Sequence, residues 1–356
     1  MVGVASLGPS QAMQKFLAAL ERSAILPADQ FFLTEKEAKS GLSDEVTLAE
    51  WLVRRGWLTG WQADHLLKGE IHFFLGDYLL LDHIATGGMG AVYKARKWDS
   101  HEIFAMKLLS QQATSDPIQL ARFRREISLL SKLDHVTIVK AITAETAGDL
   151  VYLVMEYVPG EDLWEWIRQY SQLPMDFACE CIRQACVGLE YASAFGLVHR
   201  DLKPANLIVS WPNEGGPPLC KILDLGLARL REAADVSKPL TNSGQFVGTP
   251  DYVSPEQCKD ARKVDVRADI YSLGVTLFEM LTGSLPFRAA TPLEAILLKE
   301  DSPPPGLRTR LSSAPEELEA VVAKMIANDP DDRFSTPGET AAALEPFCDF
   351  MRHPDI

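Results

Sequence analysis

Along the first seventy positions the apolar residues recur every three to four steps. The stretch QKFLAALERSAIL sets Phe16, Leu17, Leu20 and Ala24 at helical spacing. TLAEWLVRRGWLTGWQADHLLKG follows with Leu48, Trp51 and Leu52, then Trp61, His65 and Leu66. Thr47 and Thr59 stand where helix N-caps belong, and Gly56 and Gly69 where helices stop. The pattern predicts three or four short helices. From Tyr78 the texture changes. YLLLDHIATGGMGAVYKARKWDSHEIFAMKLL breaks into short β-type runs at Gly87-Gly88 and Asp99-Ser100, which predicts three antiparallel strands. A helix is expected over SDPIQLARFRREISLLSKL, with Ser115 or Asp116 as cap and Pro117 in the first turn. Two more strands, TIVKAITAET and LVYLVMEYV, end at Pro159-Gly160. Helical segments dominate the remainder, and SWPNEGGPPL (210–219) reads as a surface loop between two short strands.

Composition narrows the function classes. The chain has 356 residues, enough for two or three cores, with 47% hydrophobic and 24% charged residues as in soluble globular proteins. A formal net charge of −14 argues against non-specific nucleic-acid binding, so an anionic ligand needs a local positive site. The six cysteines have neither CxxC spacing nor a histidine at ligand spacing, which favours reduced thiols in a cytoplasmic protein over a metal site or disulfide framework. No apolar run approaches the ~18 residues of a membrane span. The N-terminus lacks the basic region of a signal peptide.

The candidate chemistry lies in four places. Gly87, Gly88 and Gly90 sit between two strand-like runs, whereas a dinucleotide-binding glycine motif would open a helix. A glycine hairpin brings backbone N–H groups to phosphate oxygens with no Cβ in the way, although a plain turn fits the same residues. Lys107, in IFAMK on the third strand, and Glu126, in RFRREISLL, are each ordinary solvated residues when taken alone. Together they offer a cation for phosphate and a carboxylate to hold it. In LVHRDLKPANLIV, His199, Arg200, Asp201, Lys203 and Asn206 crowd a short loop whose burial is costly unless its charges pair or bind a ligand. Eighteen residues past Asn206, Asp224 ends the short strand of KILDLGLA. Asn206 and Asp224 are oxygen ligands suited to Mg²⁺, Asp201 can orient or deprotonate a hydroxyl, and Lys203 can neutralise charge on a transferred phosphoryl group.

In this order, with GTPDYVSPE, DIYSLG and Arg333 in DPDDRFS, the motifs resemble those of protein kinases of the Ser/Thr type, in the bacterial branch with a GGMG loop. The resemblance covers roughly residues 77–350, about three quarters of the chain. It implies an α+β, bilobal protein-kinase-like fold: a small antiparallel β lobe with helix C over 77–155, a hinge at 156–160, and a large, mainly helical lobe over 161–350 with an activation segment at 224–256. A small all-α module, residues 1–73, precedes it. It further implies ATP and Mg²⁺ as cofactors. Ala85, Gly87, Gly88 and Gly90 would line the phosphate loop, and Val92 would cap the adenine. Lys107 would contact phosphates and pair with Glu126. Met155 would stand at the adenine pocket, with the backbones of Glu156 and Val158 holding the base. Asp201 would serve the substrate hydroxyl with Lys203 beside it, and Asn206 and Asp224 would hold the metal. His199 and Arg200 would orient the loop, Asp269 would accept its N–H groups, and Glu256 would pair with Arg333. Lys203 and Thr249 resemble Ser/Thr rather than tyrosine kinases.

Three positions depart from the family pattern. Ala85 replaces the first loop glycine, at about 1 kcal/mol if φ is positive there and little otherwise. Leu225 replaces phenylalanine and Ser254 replaces alanine, and none of the three removes a phosphate or metal ligand. In the polar activation segment, Thr241 and Ser243 are the expected autophosphorylation sites, a phosphate there docking on Arg200. The bland alternative is a surface loop whose hydroxyls carry no role. The tryptophans of residues 1–73 fit either a core or a docking or homodimer surface. A pseudokinase scaffold and a small-molecule kinase are the competing functions. The complete set of Lys107, Glu126, Asp201, Asn206 and Asp224 weighs against the first, and the long segment ending in GTPDYVSPE against the second.

Overall fold

The computed structural model describes residues 10–40, 42, 44–87, 90–109, 127, 130–148, 150–212, 216–225, 251–260, 264–289 and 291–348. The chain divides into two compact units: Met1–Thr114 with Ile142–Tyr157, and Ser115–Ala141 with Val158–Ile356.

The first unit opens with four helices, α1 (Gln11–Ser23), α2 (Ala28–Ser40), α3 (Glu45–Arg54) and α4 (Gly60–Leu67). Ser10 caps α1, accepting the Met13 N–H, and Ala24 closes it in the left-handed region. Asp44, not Thr47, caps α3: the Thr47 N–H donates to Asp44 Oδ1 at 2.8 Å, which moves the start three residues upstream of the sequence expectation. Thr59 caps α4 in a reciprocal box with Gln62. Met13, Phe16, Leu20, Leu48, Leu52 and Leu66 form the module's core, and Phe73 and Leu79 of the following segment join it. Trp51, Trp57 and Trp61 pack against that core, Trp51 and Trp57 edge-to-face at 5.4 Å.

The same unit holds a six-stranded sheet in the order β1-β2-β3-β4-β6-β5. Its strands are β1 (Phe74–Leu75), β2 (Tyr78–Gly87), β3 (Gly90–Lys97), β4 (Ile103–Leu109), β5 (Ala141–Ala147) and β6 (Leu150–Glu156). The pattern predicts five of these. The sixth, β1, is two residues long, too short to alternate visibly, and pairs Leu75 with Tyr78 across a Gly76-Asp77 turn. Leu80, Ala95, Met106, Tyr152 and Val154 fill the core under the sheet.

The second unit has a three-stranded sheet of β7 (Glu161–Asp162), β8 (Leu207–Ser210) and β9 (Leu219–Ile222). Around it lie α5 (Leu163–Tyr170), α6 (Met175–Ser193), α7 (Pro255–Asp260), α8 (Val266–Thr282), α9 (Pro292–Asp301), α10 (Glu316–Met325) and α11 (Pro337–Leu344). α8 is buried along most of its length and α6 along most of one face. The 210–219 insert joins β8 and β9, with Ser210 paired to Leu219. All six cysteines are free thiols. Cys179, Cys181, Cys186 and Cys220 are buried, and burial pushes the first three above the ordinary thiol range. Among the described residues no helix is long and apolar enough to cross a membrane.

Candidate active site

In the first unit, strand register sets one row of side chains across the sheet. Ala85 pairs with Val92, Val92 with Lys107, and Lys107 with Leu153. Directly paired residues share a face, so these four line up side by side. Lys107 is buried in that row. Ala85 is not among the residues with positive φ, so its methyl carries no left-handed penalty. Gly90 does require glycine: its φ is +135°, and a Cβ would fall 1.8 Å from the Leu108 carbonyl oxygen. Gly87 has open space around it. Met155 is buried on β6, Glu156 ends that strand opposite Phe104, and Lys94 Nζ stands 4.5 Å from the Tyr157 ring centre.

In the second unit, residues 199–206 form a loop held from several sides. Buried Asp269, near the start of α8, accepts the His199 N–H at 2.7 Å on one oxygen and the Arg200 N–H at 2.8 Å on the other. Burial raises the Asp269 carboxyl above its ordinary range, a rise opposed by the His199 and Arg200 N–H groups and the Arg200 charge. The carboxylate holds Arg200 at a φ of +68°, a left-handed backbone that a long side chain seldom adopts. His199 Nδ1 accepts the Asp201 N–H at 3.3 Å, and Nε2 donates to the Leu223 carbonyl at 2.8 Å. Lys203 Nζ lies 3.3 Å from both carboxylate oxygens of Asp201. Asn206 Nδ2 donates to the Asp201 carbonyl at 2.6 Å, which leaves Oδ1 as the amide's acceptor. The Leu223 N–H donates to the Asn206 carbonyl at 2.9 Å, so Asp224 follows directly beside Asn206. Asp224 itself has a φ of +55°, which turns the chain sharply as it leaves β9.

A second set of contacts secures residues 251–256. Arg333, with a fully buried side chain, forms a two-pronged pair with Glu256 at 2.7 and 2.8 Å. Lys299 on α9 donates to the Asp251 and Val253 carbonyls at 2.7 and 2.8 Å. Burial pushes its ammonium down to about 8, against raising contributions from Cys258 and Asp251. Tyr252 donates to Glu279 at 2.6 Å, and Ser272 donates to the Tyr252 carbonyl at 2.9 Å. Gln257 Nε2 donates to the Arg200 carbonyl at 2.9 Å, linking this segment to the 199–206 loop. Sequence reasoning missed Lys299, Gln257, Ser272 and Glu279. On its own, Lys299 in LLKED looks like a last-turn cation complementing a helix dipole.

Of the residues singled out from the sequence, His199, Arg200, Asp201, Lys203, Asn206, Asp224, Glu256, Asp269 and Arg333 lie in the second unit, joined by the contacts above. Ala85, Gly87, Gly90, Val92, Lys107, Met155 and Glu156 lie in the first, and Val158 is buried in the second. Gly88, Glu126, Thr241, Ser243 and Thr249 fall outside the described residues. Among the described residues no group of three or more His, Cys, Asp or Glu side chains could hold a metal. Asn206 Oδ1 and the Asp224 carboxylate are oxygen donors of the kind that hard divalent cations accept.

Residues 78–347 match the family model described as "Protein kinase domain". The chain belongs to the protein kinase family. It is 38% identical over 273 residues to the serine/threonine-protein kinase PknB of Mycobacterium tuberculosis, covering 75% of this chain and 42% of that protein. It is 33% identical over 253 residues to serine/threonine-protein kinase pkn3 of Myxococcus xanthus, covering 70% and 46%. The chain thus spans less than half the length of these curated relatives. Among solved structures, the kinase domain of M. tuberculosis PknI superposes with a TM-score of 0.59 at 24% identity, over 77% of this chain and 97% of that one. Rad53 1–466 in complex with AMP-PNP gives 0.62 at 26% identity, over 76% and 65%. The helices over 11–67 precede the matched region.

Proposed function

We propose that this chain transfers the γ-phosphoryl group of ATP to serine or threonine hydroxyls of proteins. The observation that carries the reading is the 199–206 loop. Asp201 and Lys203 stand side by side there, and Asn206 is oriented through the Asp201 carbonyl. The whole loop is fixed by Asp269 and His199. A rigid carboxylate next to an ammonium group suits in-line phosphoryl transfer, where positioning and charge stabilisation do most of the catalysis. Asp201 accepts the proton of the incoming hydroxyl as that oxygen bonds to the γ-phosphorus and the bond to the β-phosphate oxygen breaks. Lys203 stabilises the negative charge spread over the transferring group. Lys107 binds α- and β-phosphate oxygens with Glu126 as its counter-ion, and Gly87, Gly88 and Gly90 offer backbone N–H groups. Met155, Val92, Glu156 and Val158 receive the adenine. Asn206 Oδ1 and the Asp224 carboxylate would hold Mg²⁺, whose chemistry when bound is to neutralise phosphate charge. The AMP-PNP bound to the similar Rad53 chain supports nucleoside triphosphate as the donor.

Activation follows from phosphate on Thr241, Ser243 or both, placed by the chain itself, with Arg200 as the docking cation. Thr249 orders the segment against Asp201 and Lys203. A location on the cytoplasmic side supplies the ATP, and cell fractionation tests it.

The deciding experiment follows label from γ-phosphate-labelled ATP into a Ser/Thr peptide and into the chain, beside an Asp201→Asn control. Transfer that the control lacks supports the reading. Nucleotide binding with no transfer by either protein would favour a pseudokinase scaffold. Mass spectrometry after ATP incubation tests the segment sites; an active protein unmodified at both Thr241 and Ser243 removes the autophosphorylation reading. A docking or homodimer surface on residues 1–73 would use α2, where Phe32 is 65% exposed, whereas the three tryptophans are partly buried against the core. Sedimentation of a Phe32→Ser variant tests it: an unchanged oligomeric state removes that use of α2.

A further inference from the structure

The strand that leads into the glycine hairpin is not held by its neighbours in the sheet alone. The β2–β3 register slips twice, between Leu80 and Asp82 and between His83 and Ala85. Each slip leaves one extra residue on β2, Leu81 and then Ile84, without a cross-strand partner. At the first slip the helical module fills the gap. Gln62 Nε2 donates to the Leu80 carbonyl at 2.7 Å, and Thr59 Oγ1 donates to the Leu81 carbonyl at 2.5 Å. Gln62 is 2% exposed, and its Oε1 also accepts the Thr59 N–H at 2.9 Å, closing the cap of α4. One side chain therefore fixes the start of a helix and the path of a strand together.

A second line of contacts runs from the same helix toward the hairpin. The Trp61 ring lies 5.9 Å from Tyr93 on β3, and Tyr93 lies 5.5 Å from His83. His83 Nε2 is 2.7 Å from the Thr86 hydroxyl, and Thr86 immediately precedes Gly87. His83 and Thr86 are both exposed, so this end of the line can be altered without opening a core. All of these residues belong to the first unit.

We propose that α4 of the helical module sets the geometry of the glycine hairpin, with Gln62 and His83 as positioning residues for the phosphates of a nucleoside triphosphate. The inference rests on the ATP reading above for its ligand. The physical basis is preorganisation: a hairpin already held in one course loses less freedom when it closes on phosphates. Spatial continuity alone does not establish coupling, so the test measures coupling directly.

Three variants of the 356-residue chain are compared with the wild type. Gln62→Glu keeps an acceptor for the Thr59 N–H but replaces the donor to Leu80 with a second acceptor. His83→Ala removes the contact to Thr86, and His83→Gln restores a side chain able to bond its hydroxyl. The readouts are the Kd of a fluorescent ATP analogue without turnover, KM for ATP against kcat, thermal melting, and hydrogen exchange of residues 84–87 and 90–95. Gln62→Glu and His83→Ala should each weaken nucleotide binding about five- to ten-fold, with faster exchange in the hairpin strands and a larger change in KM than in kcat. His83→Gln should return the wild-type values. Unchanged Kd and exchange in both disruptive variants would overturn the inference, as would a lowered melting temperature with Kd and exchange intact. A wild type that binds no nucleotide, with exchange still accelerated by Gln62→Glu, would sink the ATP reading and leave the positioning of the hairpin standing.

Discussion

At the scale of single residues, two glycines of one hairpin have different jobs. A Cβ at Gly90 would strike the Leu108 carbonyl, and its backbone is left-handed. Gly90→Ala should therefore cost roughly 2–4 kcal/mol, read by denaturant unfolding. Gly87 has nothing within reach of a new methyl, so Gly87→Ala should leave the unfolding midpoint nearly unchanged. Arg333 is the opposite case, a charge whose burial is tolerated because every direction is paired. It meets Glu256 twice and also donates to the carbonyls of Ala327, Arg267 and Asn328. Arg333→Met leaves Glu256 and those carbonyls without their donor and should lower stability by about 3–5 kcal/mol in the same measurement.

At the scale of elements, α9 is tied to the 251–256 segment through one buried ammonium group. Lys299 titrates at about 8 in the folded chain, against 10.5 as its ordinary value. The folded state therefore binds fewer protons than the unfolded state between those two values. Stability is reduced below pH 8 and recovers as pH rises through 8 toward 10.5. A Lys299→Met variant should lose that rising limb, on the order of 3 kcal/mol at most, in unfolding curves taken across the window. The groups around Lys299 are Asp251, Cys258 and Tyr271, so a Cys258→Ser control separates the thiol's own titration. Elements also explain what periodicity could and could not reveal. The apolar run IFAMKLL was legible from the turn residues before it, and the helical spacing of QKFLAALERS because that helix buries one face. β1 was invisible because two residues carry no period. The start of α3 was misplaced because Asp44 and Thr47 are both good caps, and only the position of the first turn selects between them.

At the scale of the whole molecule, the chemistry is distributed over residues far apart in sequence, and the fold is what orders them. The Asp201 side chain reaches solvent in part and asparagine has the same size, so Asp201→Asn should fold normally while lowering transfer roughly 10²–10⁴-fold, measured as labelled phosphate in peptide. The candidate site residues are legible in the sequence because phosphoryl transfer calls for particular groups at particular chain separations, and such groups stand there as HRDLKPAN and DLG. Several of the supporting residues are not. Lys299, Gln257 and Ser272 act on backbone carbonyls, which have no sequence identity, so nothing in the one-dimensional pattern marks them.

The sequence alone determined the element types, the helical module ahead of a β-rich segment, and the list of groups able to handle phosphate. Those follow from periodicity, caps and functional-group chemistry, all local properties. Only the tertiary structure decided that Ala85 avoids the left-handed region, that Gln257 reaches back 57 residues to the Arg200 carbonyl, and that Gln62 ties a helix cap to a slipped strand. Each of these depends on which backbone groups meet once the chain has packed. A carbonyl left over at a strand irregularity, or an N–H at a sharp turn, becomes a binding partner only after the fold has placed it.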